Sequence, residues 1–184
     1  AMFDKKEVEE VIERFKNLVI EEAKGNLQRQ NKDASGKLRN SITGETKVMK
    51  NSIRLTFDML PYGWFQDLGV NGRRSAKSDT PFSYKTKKPP ARALEKWLKQ
   101  KGIQGRYKKG ASKKKGGKFM SYKRLSYLIA QSIFRDGIKA SLFFTTPFKK
   151  HFKELGQEVQ EKYGLSIEKL FKDIMEERLK NFKN

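Results

Sequence analysis

The chain has no cysteine and only one histidine. Disulfide frameworks, thiolate zinc sites and cysteine nucleophiles are therefore excluded, and so is any metal site built on two histidines. No apolar run reaches the roughly 18 residues of a membrane span, and no basic–apolar–cleavage pattern opens the sequence. Ala1 before Met2 reads as a cloning remnant and takes no part in the fold argument. Acidic residues are scarce, 21 against 42 Lys+Arg, for a formal charge of +21. Hydrophobic residues make up only 36%. Aromatics, however, reach 11% and include 13 Phe, which supplies the burial that a disordered basic tail lacks. With 184 residues there is room for one domain and one core. The expectation is a soluble protein, intracellular or particle-bound, with a large positive field.

The excess charge is concentrated. Residues 1–70 hold 12 Lys+Arg and 11 acids, and residues 125–184 hold 11 and 8. Residues 71–124 hold 19 Lys+Arg against only Asp79 and Glu95. The flanks read as ordinary globular sequence and the middle as a basic insertion. Such asymmetry points to an anionic partner, either nucleic acid or an acidic protein surface.

From Asp4 to about Gln30, Val8, Val11, Ile12, Phe15, Leu18, Val19 and Leu27 recur at helical spacing. Asp4 is placed to cap this helix. Ile53, Leu55, Phe57 and Met59 then alternate with polar residues, which predicts a strand. Ile42–Met49 pairs with it as a hairpin turning at Lys50-Asn51. Pro61 opens a short helix over Tyr62–Leu68 that Gly69 closes. Residues 70–89 read as loop, and a helix follows from Pro90 to Lys101 with Leu94, Trp97 and Leu98 on one face. Residues 102–119 hold five glycines and seven Lys/Arg and should be mobile unless something holds them. Ser121 caps a helix to about Asp136 with Leu125, Leu128, Ile129 and Ile133 as its stripe. Leu142-Phe143-Phe144 is a candidate third strand. Thr146-Pro147 starts a helix carrying Phe148, Phe152, Leu155 and Val159, and Ser166 caps a last one after Gly164.

Several chemistries fail on their residue patterns. Gly105 to Gly110 has the glycine spacing of a phosphate loop, but Ala111-Ser112 stands where Lys-Ser/Thr is required. His151 has no recognisable catalytic partners and reads as a surface or satisfied histidine. Asp58 and Asp67 are too isolated to hold the Mg²⁺ of a nuclease. Tyr62, Trp64 and Phe65 read as core packing, with Trp64 facing a partner subunit as the alternative. The basic loops remain. Arg73, Arg74, Lys77, Lys85, Lys87 and Lys88 form one group. Arg106, Lys108, Lys109, Lys113, Lys114, Lys115 and Lys118 form another, with Tyr107 between. Such residues neutralise phosphates without reading bases.

Four short motifs stand in order along the chain. Ala34-Ser35-Gly36-Lys37-Leu38-Arg39-Asn40-Ser41-Ile42 follows the first helix. The hairpin comes next, then Tyr62-Gly63-Trp64-Phe65-Gln66-Asp67-Leu68-Gly69. Thr146-Pro147-Phe148 comes much later. This order resembles the tail-completion proteins of tailed bacteriophages, also described as head–tail joining or neck proteins. Their pattern runs small-Gly-x-Leu-Arg-x-Ser-Ile, a strand pair, Tyr-x-x-Phe-x-acid-x-Gly, and a Pro-Phe near the closing helix. The resemblance covers about residues 1–70 and 140–165, and residues 71–139 are longer than the family's usual connection.

The resemblance implies an α+β domain over residues 2–184. A long N-terminal helix and a small antiparallel sheet carry further helices, and residues 71–124 form a basic, loop-rich insertion. It implies a structural virion protein at the head–tail junction, present in the host cytoplasm during assembly. There it forms an oligomeric ring, often sixfold, between portal or adaptor and tail tube. No catalysis, cofactor, metal or membrane contact is expected. Gly36, Leu38, Arg39, Ser41, Tyr62, Phe65, Gly69, Pro147 and Phe148 become structural positions, and the basic loops face DNA or an acidic partner. The alternative is a nonspecific nucleic-acid-binding protein that uses residues 71–124, and less favourably a metal-dependent nuclease.

Overall fold

The computed structural model describes residues 5–32, 34–49, 53–76, 79–108 and 117–163. Its elements in chain order are α1 (Lys5–Arg29), α2 (Lys37–Ser41), β1 (Thr43–Val48), β2 (Ile53–Asp58), α3 (Pro61–Leu68), β3 (Val70–Asn71), α4 (Ala91–Lys101), α5 (Tyr122–Asp136), β4 (Gly137–Ile138) and α6 (Thr145–Tyr163). This is an α+β fold, with the long N-terminal helix and the hairpin where the periodicity places them. The predicted Asp4 cap, the Lys50-Asn51 turn and the helix after Ser166 lie outside the described residues. The chain divides into two compact units. One comprises Ala1–Asn26, Ile42–Asp58 and Phe143–Asn184, and the other Leu27–Ser41 and Met59–Leu142.

The first unit is a helix–hairpin–helix layer held by phenylalanines. α1 buries Val11, Ile12, Phe15, Val19 and Ala23 at helical spacing. In the antiparallel hairpin Gly44 faces Phe57, Thr46 faces Leu55 and Val48 faces Ile53. These pairs share the inner face, while Glu45, Lys47, Arg54 and Asp58 point outward. A side chain at Gly44 would meet Lys16 Cγ at 2.7 Å, so α1 crosses the sheet where β1 has no Cβ. Phe15 meets the rings of Phe57, Phe148 and Phe152 edge-on at 6.2, 5.7 and 6.4 Å. Such pairs add about 0.5–1.5 kcal/mol each beyond their burial. Leu142-Phe143-Phe144 is not a strand. Leu142 takes a left-handed φ of 52°, which ends any extended run, and Phe143 and Phe144 turn into the core ahead of α6.

The second unit holds α2, α3, the short β3–β4 pair, α4 and α5. Ser41 Oγ donates to the Leu38 carbonyl at 2.7 Å and accepts from Leu60 N–H at 3.1 Å, so one hydroxyl ties α2 to the start of α3. Gly63 lets α3 approach Leu38, where a Cβ would meet Leu38 Cδ1 at 2.8 Å. α3's last carbonyls are satisfied in turn: Gln66 O and Asp67 O accept from Ser141 N–H, and Asp67 O from Leu142 N–H at 2.9 Å. Expected loop residues Val70–Asn71 instead pair antiparallel with Gly137–Ile138. Asn71 also bridges Ser83.

Candidate nucleic-acid interface

The second unit contains 25 of the 42 Lys+Arg but only five of the 21 acids: Asp33, Asp67, Asp79, Glu95 and Asp136. Most of these acids are already engaged. Asp67 is fully buried on α3. Glu95 pairs with Lys99 at 2.8 Å, and Asp136 pairs with Arg135 at 2.7 Å. Little negative charge is left on this unit to offset its cations.

α5 organises those cations. Ser121 caps it, its hydroxyl accepting from Arg124 N–H at 3.3 Å, and Gly137 ends it. At its C-terminal end the first basic group is tied down by backbone. Arg73 N–H donates to the Phe134 carbonyl at 2.9 Å and Arg74 N–H to the Arg135 carbonyl at 3.0 Å. Lys88 Nζ lies 5.7 Å from the Phe134 ring centroid, and Tyr84 tilts against the same ring at 6.3 Å. Burial pushes the Tyr84 phenol above its ordinary value, which keeps it a neutral hydroxyl. Lys85 and Lys87 are exposed on the stretch between them.

At the N-terminal end of α5 stands the second group. The two ends of the glycine-rich segment pair with each other instead of hanging loose. Arg106 bridges Phe119, Tyr107 N–H donates to Lys118 O at 3.0 Å, and Met120 N–H donates to Gly105 O at 2.7 Å. Gly105 packs so closely that a Cβ there would meet Leu125 Cδ1 of α5 at 2.8 Å. The Arg106 guanidinium lies 4.0 Å from the centroid of the Phe119 ring, itself 55% exposed. Arg106, Lys108 and Lys118 are all exposed.

The structure therefore splits the predicted basic residues between the two ends of one helix. Arg73, Arg74, Lys85, Lys87, Lys88, Arg106, Lys108 and Lys118 are exposed. Lys77, Lys109, Lys113, Lys114 and Lys115 lie outside the described residues. Lys123 and Arg124, exposed in the first turn of α5, were not singled out by the sequence, although they close the same basic run.

Other expectations need correction. Tyr62 and Phe65 are not core, being 47% and 40% exposed. α3 turns Gly63 and Asp67 inward, four residues apart, so positions 62 and 65 fall outside that stripe. Phe65 instead meets Phe82 edge-on at 4.7 Å. Leu128 is not in the stripe of α5, nor Trp97 in that of α4. Ser126 and Ala130 mark the inward face of α5, and Leu98 is the buried residue of α4. His151, by contrast, is satisfied as expected, with Nε2 2.7 Å from Glu22 and Nδ1 2.9 Å from Glu154. Asp58 is exposed on β2 of the first unit while Asp67 is buried in the second.

Among the described residues no group of three or more His, Cys, Asp or Glu could hold a metal ion, and no helix is long and apolar enough to cross a membrane. No family model matches the chain, nor does any curated protein or solved structure.

Proposed function

We propose that the chain is a structural protein of the tailed-bacteriophage head–tail junction. It is a non-enzymatic tail-completion or neck component that assembles as a ring between portal or adaptor and tail tube. The observation that carries this reading is what the four motifs do in the fold: their residues act as joints. Gly36 and Gly69 take left-handed φ values of 73° and 78° at the edges of α2 and α3. Leu38 is buried and Ser41 ties α2 to α3. Pro147 is fully buried, and Phe148 stacks within the core of the first unit, nearly parallel to Phe152 at 5.8 Å. Motifs whose glycines, Leu38, Ser41, Pro147 and Phe148 serve packing suit a scaffold whose work is assembly. Exposed Tyr62, Phe65, Trp97, Phe119, Tyr127 and Leu128, all in the second unit, add apolar surface of the kind that subunit interfaces cover. Rings require a heterologous contact repeated around a closed axis.

The test is assembly. Purified protein mixed with tail tubes or portal–adaptor complexes, viewed by negative-stain electron microscopy and weighed by mass photometry, should form rings or cap one end of the tube. Protein that stays monomeric with each of these partners refutes the proposal.

A further inference from the structure

We infer that the surface around the two ends of α5 binds the phosphate backbone of double-stranded DNA without reading sequence. The inference rests on the reading above only for its biological setting, since DNA threads a head–tail junction. Its physical basis is independent.

Three observations select a duplex. First, the eight exposed cations of the two predicted groups sit on loops at the ends of α5. α5 has 15 residues, so its ends are about 22 Å apart. That separation is below the roughly 34 Å of one turn of B-DNA, so both groups fall within the reach of a single duplex. Loop-borne charges at such spacing suit phosphate contacts, which position a protein without specifying bases. Second, the cations rest on aromatic faces. Arg106 covers Phe119 at 4.0 Å and Lys88 approaches Phe134 at 5.7 Å. An aromatic face orients a cation without neutralising it, so the charge stays available to a phosphate. Third, a single strand would bind by stacking its bases on aromatics set among the cations, and here the guanidinium of Arg106 covers one face of Phe119, the most exposed ring among the described residues.

The charge density also favours DNA over protein. A duplex offers one negative charge per about 1.7 Å of axis, and few protein surfaces match that against a unit so poor in acids.

The experiment uses the full chain and a labelled 30-base-pair duplex of random sequence, read by fluorescence anisotropy between 50 and 200 mM NaCl. If about five phosphates are neutralised, log K should fall against log salt with a slope near −4.5, about a 500-fold loss across that range. Arg73→Gln with Arg74→Gln should flatten the slope by about 1.8, and so should Arg106→Gln with Lys118→Gln. The four changes together should flatten it by about 3.6. Lys149→Gln with Lys153→Gln, exposed on α6 of the first unit, should leave it unchanged. Circular dichroism confirms that each variant is folded.

No binding at 50 mM salt overturns the inference. A slope untouched by both α5-end pairs overturns the assignment to these residues. Displacement of the duplex by poly-glutamate at equal charge concentration shows a surface for acidic protein and overturns the choice of DNA. Ring assembly is scored separately, so protein that binds DNA without assembling, or assembles without binding, identifies which of the two readings has failed.

Discussion

Replacing Gly72 by alanine should destabilise the second unit by roughly 2–3 kcal/mol, and the geometry shows why. Gly72 passes the end of α5 so closely that a Cβ there would fall within the van der Waals surface of Arg135 O, Gly137 N and Asp136 C. All three are backbone atoms, so no side-chain rotation relieves the overlap. The φ of Gly72 is not left-handed, so the cost is steric alone, and forced overpacking costs about 1–3 kcal/mol or more. Gly137 faces the same crossing from the other side, against Val70 O and Gly72 N. Its φ of 77° and ψ of −172° form a conformation nearly restricted to glycine. Gly137→Ala should therefore cost about 1–3 kcal/mol of backbone strain on top of the overlap. Gly156 is the control. It lies inside α6, and a Cβ added there would have nothing within 4 Å, so Gly156→Ala should stabilise by about 0.8–1 kcal/mol. The assay separates the units, because both tryptophans, Trp64 and Trp97, lie in the second. Urea unfolding followed by tryptophan fluorescence should show the Gly72→Ala midpoint lowered by about 1–1.5 M if m is near 2 kcal/mol/M. Far-UV circular dichroism should show the gain in Gly156→Ala. The Gly72→Ala/Gly137→Ala double variant should cost less than the sum, because once the crossing has opened the second methyl meets less. A Gly72→Ala midpoint within about 0.3 M of wild type, or strict additivity, would refute the crossing.

Phe15→Ala should cost about 3–5 kcal/mol, because a buried ring at the centre of three edge-on contacts is lost, and the helical circular dichroism signal should melt earlier. Ser121→Ala should cost about 1 kcal/mol by removing the cap of α5, with faster hydrogen exchange at the Arg124 amide as the site-specific readout. The pH response of the first unit follows from Glu22 and Glu13. A hydrogen bond from Lys150, aided by His151, holds the Glu22 carboxyl below its ordinary 4.5, and Lys16 does the same for Glu13. A carboxyl depressed in the folded state stabilises above about pH 4.5 and loses that contribution as pH falls through its folded value. Acid titration by circular dichroism should thus show stability declining below pH 4.5 and no decline from these groups between pH 6 and 8. Glu22→Gln should remove part of that dependence, at a cost under about 1 kcal/mol because the pair is partly exposed.

The elements that depend on local period were legible in the sequence. Val11, Phe15 and Val19 announce α1, and the alternation from Ile53 to Asp58 announces β2. Pro61 with Gly69, and Ser121 with Gly137, bracket α3 and α5 with their own caps. What depends on distant partners was not legible. Two residues at 70–71 carry no strand signal, and their pairing with 137–138 is fixed by a backbone approach that only Gly72 and Gly137 permit. The paired stem at Arg106 and Phe119 was hidden by the glycines around it, although an aromatic near each end of the run was the available clue. Helix phase was misjudged where the inward positions are not large apolar residues. Gly63 and Asp67 on α3, and Ser126 and Ala130 on α5, take the buried stripe and push Tyr62, Phe65 and Leu128 outward. For the candidate site, the identity of the basic residues was legible but their division between the two ends of α5 was not.

That division bears on why so much charge is tolerated in one unit. Like charges gathered on a compact body repel and destabilise it. The second unit does little to neutralise them, since Asp67 is buried, Glu95 pairs with Lys99, and Asp136 is held by Arg135 and Ser132. It separates them instead, with one group held by backbone bonds at Phe134 and Arg135 and the other by the stem against Leu125. At about 22 Å the groups lie beyond the roughly 8–10 Å Debye length of physiological salt, so each feels the other weakly in the free protein. Within each group, Arg106 on Phe119 and Lys88 on Phe134 exchange water for an aromatic face. A fold that only needed solubility could have met the same repulsion with a few acids. Spacing the cations and bracing them on rings leaves their charge uncancelled, which is the condition that the proposed contact with DNA phosphates requires.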